Sequence, residues 1–144
     1  MNIGKYVERY SEELKFKGYS QNTIENYCCQ VNSFLHYFND KVTKPSEIKE
    51  SWIKAWIMEA QTTNTRKHRI SAVKSFYKYV GKQPLKFRNI EYPRSEKKLP
   101  QPLSEHEVKS LFDHCTNLKH RAITALLFGC GMRVSEVLNL KPEH

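Results

Sequence analysis

The sequence predicts an all-α protein in which a four-helix bundle and a linker precede the first helices of a second domain. Three observations predict this architecture. Apolar side chains recur with helical spacing in nearly every periodic segment of the 144 residues. Serine or threonine precedes several of these segments, and glycine follows the first and the fourth, as expected at helix ends. A segment with three prolines, many charges and no period separates two helical regions.

The first two predicted helices have broad apolar faces. The apolar side chains of residues 3–17 lie in one stripe along a helix. Gly18 ends that helix, as glycine often does just after a helix C-terminus. Ser20 is a suitable N-cap for the second helix. The side chains that we expect to be buried are Ile3, Tyr6, Val7, Tyr10 and Leu14 in the first helix, and Ile24, Tyr27, Cys28, Val31, Phe34, Leu35 and Phe38 in the second.

The third and fourth helices complete the predicted bundle. The third spans about 50–60 and the fourth about 65–80, where the threonine-rich stretch 62–65 supplies a cap and Gly81 closes the helix. Because a chain of this length buries a sufficient core only when all four helices pack together, we expect a compact bundle. The apolar positions are Trp52, Ile53, Trp56 and Ile57 in the third helix, and Ile70, Val73, Tyr77 and Val80 in the fourth.

The predicted domains are residues 1–82, a linker at 83–101 and a second domain at 102–144. The second domain begins with a capping box, in which Ser104 is the cap and Glu107 lies three residues on. Residues 119–129 are so rich in apolar side chains that we expect this helix to be buried, and a last helix begins near Arg133. The roughly 43 residues after the linker are too few for a conventional core, so this domain is expected to be incomplete.

The basic charge is concentrated in the N-terminal part of the chain. The formal net charge is +9, and residues 1–93 contain 16 basic and 9 acidic side chains. A polyanionic partner, most commonly nucleic acid, explains such a surplus. The alternative is a basic surface that serves solubility, and charge alone does not decide between the two.

Other features of the composition exclude several classes of protein. No stretch approaches the roughly 20 apolar residues that span a bilayer, and the N-terminus lacks the apolar region of a signal peptide. The four cysteines include the adjacent Cys28 and Cys29 and form no CxxC pair, so their spacing supports neither a zinc site nor a disulfide framework. We expect a cytoplasmic protein with reduced thiols, no bound metal, no cofactor and no membrane partner.

The most specific pattern lies in the second domain. LPQPLSEHEVKSLF at 99–112 is followed by the apolar helix and then by GCGMRVSEVLNL at 129–140. In order, spacing and residue type these segments resemble the opening of the catalytic domain of tyrosine site-specific recombinases, the phage-integrase and Xer-like family. The family usually has threonine at the position of Cys130, and both residues are small. LKFKGYSQNTIENY at 14–27 and RISAVKSFYKYVG at 69–81 resemble segments of the family's SAM-like core-binding domain.

The resemblance implies that Arg133 is the first catalytic arginine. A guanidinium presents a rigid fork of donors, which suits the non-bridging oxygens of a phosphoryl-transfer transition state. Gly131 allows a sharp backbone turn before it. Glu136, three residues on, would hold Arg133 in position. The alternative is a solvated surface arginine in an i,i+3 ion pair.

The resemblance also implies further catalytic residues that follow the first arginine along the chain. In the family, catalysis further needs a lysine on a β-hairpin, an H-x-x-R pair, another His or Trp, and a tyrosine nucleophile that forms a 3′-phosphotyrosyl intermediate. All eight tyrosines of this chain precede Arg133, and no arginine follows it. We therefore expect a truncated catalytic domain and no DNA cleavage by this chain alone; a covalent adduct on a suicide substrate would contradict this.

The candidate DNA contacts lie at the starts of helices two and four. The resemblance also implies that the two domains clamp opposite sides of a duplex. Amides and hydroxyls at helix N-termini suit phosphate oxygens, and lysine and arginine add counterion release. For any single basic side chain the alternative is a solvated charge. The candidates are Ser20, Gln21, Asn22, Thr23 and Asn26 in helix two, and Thr65, Arg66, Lys67, His68, Arg69 and Lys74 in helix four.

Three hypotheses about function remain open from the sequence. The first is the DNA-binding part of a recombinase that binds double-stranded DNA, with this chain monomeric and the whole protein tetrameric on paired sites. The second is a non-enzymatic DNA-binding or regulatory remnant of an integrase. The third is a helical protein-interaction domain that does not bind duplex DNA near physiological salt.

Overall fold

A computed structural model describes residues 1–87, 89–94, 99 and 101–141. Every regular element in these residues is helical, which confirms the all-α prediction. The chain divides into two compact units, Met1–Lys97 and Lys98–His144, and the division lies inside the segment predicted as the linker. The helices are α1 (Ile3–Phe16), α2 (Gln21–Phe38), α3 (Glu50–Met58), α4 (Thr63–Tyr79), α5 (Glu105–His114), α6 (Leu118–Gly129) and α7 (Val134–Leu138), with 3₁₀ turns at Pro45–Glu47 and Pro84–Phe87.

A Schellman turn ends α1 where the sequence predicts it. The Tyr19 N–H donates to the Leu14 carbonyl at 3.1 Å, and the Gly18 N–H donates to the Lys15 carbonyl at 2.9 Å. Gly18 has φ +74°, a conformation that glycine adopts at little cost. The turn leads directly to Ser20, whose hydroxyl accepts from the Thr23 N–H at 3.4 Å and caps α2.

The core of the first unit lies between α1, α2, α3 and α4. α2 packs against α1 and α4, and α4 also contacts α3. Phe34 is the centre of an aromatic cluster, with its ring 5.2 Å from Trp56 and 6.2 Å from Tyr77. Since each large apolar side chain contributes about 1.5–3 kcal/mol on burial, this cluster stabilises the bundle substantially. The fully buried large side chains are Trp56, Tyr10, Tyr77, Phe34, Phe38, Phe76, Leu14, Leu35, Ile48, Ile53, Val31 and Val73.

Part of the predicted linker packs on this bundle. Phe87 and Ile90 are buried in the same core, and the Phe87 ring lies 4.4 Å from that of Tyr77. The Lys74 ammonium donates to the Ile90 carbonyl at 2.6 Å. Sequence periodicity missed these contacts because two isolated apolar side chains define no helical stripe. The predicted domain limits stay a prediction.

The second unit has the predicted capping box but little buried surface. The Glu107 carboxylate accepts from the Ser104 N–H at 2.8 Å, and the Ser104 hydroxyl accepts from the Glu107 N–H at 3.3 Å. The Ser104 N–H and the Ser104 hydroxyl both donate to the Glu107 carboxylate, which holds the pKa of Glu107 below its usual value. α6 has no buried side chain, so the prediction that it is buried is wrong for this chain. The reason is physical: three short helices are too few to cover one another's apolar faces.

Candidate nucleic-acid interface

The N-terminal halves of α2 and α4 border a polar groove of about 190 Å³. Its lining includes Asn26 from α2 and Thr65 from α4, two candidates that the sequence places at separate helix starts. The other lining residues are Tyr27, Gln30 and His68. The fold therefore brings members of both candidate groups to one place.

Hydrogen bonds along each helix position these groups. The Thr65 N–H donates to the Thr62 hydroxyl at 3.1 Å, and the two hydroxyls lie 2.8 Å apart. Thr62 is thus the N-cap of α4, inside the predicted stretch 62–65. The Asn26 amide nitrogen donates to the Asn22 carbonyl at 2.8 Å, which fixes the amide along α2. Gln21 is tied in the same way, because its amide donates to Glu25 at 2.8 Å.

The groove offers amide, hydroxyl and imidazole groups, and no carboxylate belongs to its described lining. Such groups donate to phosphate oxygens, and asparagine and glutamine can also pair with base edges. The sequence prediction missed Gln30. The signal was available, because Gln30 follows Asn26 by one helical turn and shares its face.

Arg66 and Arg69 lie on another side of α4 and contact α3. The Arg66 Nε donates to the Ala60 carbonyl at 2.9 Å. Arg69 donates to the Trp56 carbonyl, and its guanidinium carbon lies 4.2 Å from the centre of the Trp56 ring. Arg69 therefore satisfies a carbonyl in the last turn of α3, where positive charge also complements the helix dipole, and Arg66 satisfies one just after that helix.

Consecutive residues of a helix point in directions about 100° apart, so the basic run at 66–69 is divided between faces. His68 lines the groove, whereas Arg66 and Arg69 face α3. Lys67 is half-buried. Further along α4, the Lys74 ammonium donates to the Ile90 carbonyl and lies 5.0 Å from the centre of the Tyr92 ring. That Arg66, Lys67, Arg69 and Lys74 contact DNA stays a prediction.

In the second unit, Arg133 is the N-cap of α7 and pairs with Glu136. The Glu136 carboxylate accepts from the Arg133 N–H at 2.7 Å and from Nη1 of its guanidinium at 3.0 Å. Gly131 precedes them with φ +63°, as the sharp turn requires. The Arg133 side chain is 83% exposed, so its remaining donors face solvent. A catalytic arginine awaiting a phosphate and a solvated surface arginine both fit this geometry.

Among residues 1–87, 89–94, 99 and 101–141, no group of three His, Cys, Asp or Glu could hold a metal ion. No helix in the same residues is long and apolar enough to span a bilayer.

Sequence comparisons match this chain to a phage integrase domain and to tyrosine recombinases. A family model described as the phage integrase N-terminal SAM-like domain matches residues 7–83. The tyrosine recombinase XerA of Pyrococcus horikoshii is 30% identical over 139 residues, which cover 95% of this chain and 47% of that protein. The tyrosine recombinase XerC of Bacillus pumilus is 32% identical in an alignment that covers 97% of this chain and 51% of that protein.

The fold comparison agrees with the sequence comparisons. The crystal structure of XerA recombinase aligns with a TM-score of 0.53 and 29% sequence identity, over 99% of this chain and 51% of that one. The chain thus spans about half the length of the curated relatives that it matches.

Proposed function

The chain belongs to the phage integrase family of tyrosine recombinases, and we propose that it is the DNA-binding portion of a recombinase that cuts and rejoins DNA at specific sites. The groove between α2 and α4 is the observation that supports DNA binding most directly. It joins Asn26, Gln30, Thr65 and His68 in one unit whose net charge is strongly positive. Double-stranded DNA is the partner that such a surface fits.

In the proposed reaction a tyrosine oxygen attacks the scissile phosphorus, the 5′ oxygen leaves and takes up a proton, and a 3′-phosphotyrosyl bond forms. The attacking tyrosine would lie in the half of the whole protein that this chain does not span. Arg133 would donate to the non-bridging oxygens as negative charge builds up on them. Glu136 would hold the guanidinium in place, since it already accepts from Nη1 at 3.0 Å.

The whole protein is proposed to act in the cytoplasm as a tetramer on paired sites, whereas this chain alone is proposed to be a monomer. Light scattering of the purified chain tests the second statement. A stable tetramer of the isolated chain would contradict it.

Duplex DNA binding tests the proposed function. The measurement is fluorescence anisotropy of a labelled duplex titrated with the 144-residue chain from about 50 to 200 mM salt. We expect affinity to fall steeply as salt rises, because each neutralised phosphate releases counterions. The absence of binding in this salt range would contradict the proposal and favour a protein-interaction domain.

A double variant tests whether the groove is the DNA interface. Asn26→Ala/Thr65→Ala removes one donor group from each helix, and we expect affinity to fall roughly tenfold, since each hydrogen bond contributes about 0.5–1.5 kcal/mol. The matched control is Asn32→Ala/Ser51→Ala, which removes two exposed polar groups outside the groove. Equal affinities for the two double variants would show that the groove is not the interface.

A further inference from the structure

A second groove, of about 550 Å³, lies along the C-terminal half of α4. Serine and tyrosine hydroxyls and lysine ammonium groups line it, and no carboxylate belongs to its described lining. At one end the Tyr19 and Tyr79 hydroxyls lie 3.3 Å apart, which joins the turn before α2 to the last turn of α4. This hydrogen bond raises the pKa of the Tyr19 hydroxyl.

Two ammonium groups lie near the Tyr79 ring: that of Lys78, which lines the groove, and that of Lys17, at the C-cap of α1. The Lys17 Nζ lies 5.8 Å and the Lys78 Nζ 5.3 Å from the centre of the Tyr79 ring. Within the described part of the chain, neither lysine forms an ion pair with a carboxylate. Two positive charges near one ring repel each other, and an anion bound close to both would be attracted to each of them and offset that repulsion.

The second groove follows the first along the same face of α4. Tyr27 of α2 lines both grooves, and α4 contributes Thr65 and His68 to the first and Ser75 and Tyr79 to the second. These four positions of α4 share a face, and at 1.5 Å per residue Tyr79 lies roughly 21 Å beyond Thr65. That distance exceeds the ~12 Å width of the DNA major groove, so the two ends of α4 can reach different parts of a duplex.

We propose that Lys17, Lys78 and the Tyr19–Tyr79 hydroxyl pair bind a backbone phosphate of the duplex that occupies the first groove. The phosphate oxygens would accept from the two ammonium groups and from a tyrosine hydroxyl, which are charge-assisted hydrogen bonds. The site would position α4 along the duplex without reading its sequence. The proposal rests on the proposed function, since it requires a bound duplex.

The experiment compares two pairs of lysines in the 144-residue chain. Lys17→Ala/Lys78→Ala removes the proposed ligands. Lys41→Ala/Lys49→Ala is the matched control, because both of its lysines are exposed and both ammonium groups also lie over aromatic rings, of Tyr37 and Trp52. Anisotropy titrations with one labelled duplex at several salt concentrations give the affinity and its salt dependence for each protein.

We expect Lys17→Ala/Lys78→Ala to bind about five- to tenfold more weakly than the control variant. Its plot of log affinity against log salt should be shallower by about one unit, as expected for the loss of one phosphate contact. A Lys17→Arg/Lys78→Arg variant should keep the wild-type slope, which also guards against a folding defect in the alanine variant.

The outcomes separate the two proposals. A wild-type chain that fails to bind the duplex overturns the proposed function together with this site. A wild-type chain that binds, with equal affinity and slope for both alanine double variants, overturns the phosphate site and leaves the proposed function standing.

Discussion

The Arg69 guanidinium carbon lies 4.2 Å from the centre of the Trp56 ring, and Arg69 also donates a hydrogen bond to the Trp56 carbonyl. Trp56 is itself almost fully buried in the core of the first unit. An arginine that the sequence places among the DNA contacts therefore fastens α4 to α3. This contact holds in place the first turns of α4, which contribute Thr65 and His68 to the polar groove.

Arg69→Ala should lower the free energy of unfolding by about 2–3 kcal/mol. The variant loses a hydrogen bond from a charged donor, worth about 1.5–3 kcal/mol, and a cation–π contact worth about 0.5–2 kcal/mol. Urea denaturation followed by circular dichroism measures the change. Arg9→Ala, on an exposed face of α1, is the control and should change stability by less than about 0.5 kcal/mol. Similar stabilities for the two variants would mean that Arg69 is not a structural contact.

The fold was largely predictable because its signals are local. The apolar stripes of the first four helices, the cap at Ser20 and the glycine turn at Gly18 are present as expected, except that Trp52 of the third helix is 37% exposed and lies outside the core. Phe87 and Ile90 could not be placed, because their burial depends on where a non-periodic segment crosses the bundle. The exposure of α6 was missed for a related reason: an apolar helix predicts a partner surface, and only tertiary structure shows whether one is present.

Gly81 follows the end of α4 as predicted, but glycine is needed there for a different physical reason. As a terminating glycine it would be expected in the left-handed region, but Lys82 has the positive φ, of 51°. Gly81 is instead required by space, because a Cβ there would lie 2.9 Å from the Tyr77 Cδ1 and 3.1 Å from the Tyr77 Cα.

Gly81→Ala should therefore destabilise the bundle by about 1–3 kcal/mol, the usual cost of overpacking against a backbone. Lys82→Gly should stabilise it by up to about 1 kcal/mol, since glycine adopts positive φ without strain. Thermal unfolding of both variants measures these effects. A Gly81→Ala protein as stable as the wild type would show that Tyr77 can move aside.

The buried Tyr77 hydroxyl should make the folded protein less stable in alkaline solution. It donates to the Pro45 carbonyl at 2.6 Å, and burial raises its pKa well above the ordinary value of 10.0. Since the folded-state pKa is the higher one, this stabilisation is complete below pH 10 and is lost as the pH rises above it.

Tyr77→Phe should be about 1 kcal/mol less stable than the wild type at pH 7, because one hydrogen bond is lost. The difference should shrink by roughly 1.4 kcal/mol per pH unit above pH 10, where only the wild type has this hydroxyl to ionise on unfolding. Urea titrations between pH 7 and pH 11 measure both values, with Tyr92→Phe as a control whose ring is half exposed. A constant difference across this range would contradict the burial argument.

The candidate site was predictable only in part. Asn26 and Thr65 lie in one groove, as residues from two helix starts should when those helices pack together. The direction of each arginine could not be read from the run at 66–69, because the position of α3 decides it. Helical spacing alone therefore identified the candidate region, but not which of its side chains line the groove and which contact α3.

Arg133 allows the sharpest test of the proposed chemistry, in the whole protein with a suicide substrate that contains its own recombination site. Arg133→Ala should lower the rate of covalent adduct formation at least 100-fold, because a preorganised donor to the phosphate oxygens is lost. Its affinity for the duplex should change by less than about threefold.

Arg133→Lys should also be slow, since an ammonium cannot present the two-pronged donor geometry. Glu136→Gln, which keeps an acceptor for the Arg133 N–H but removes the ion pair, should have an intermediate rate. A solvated surface arginine predicts the opposite result, with Arg133→Ala cleaving as fast as the wild type and the ion pair contributing less than about 1 kcal/mol to stability.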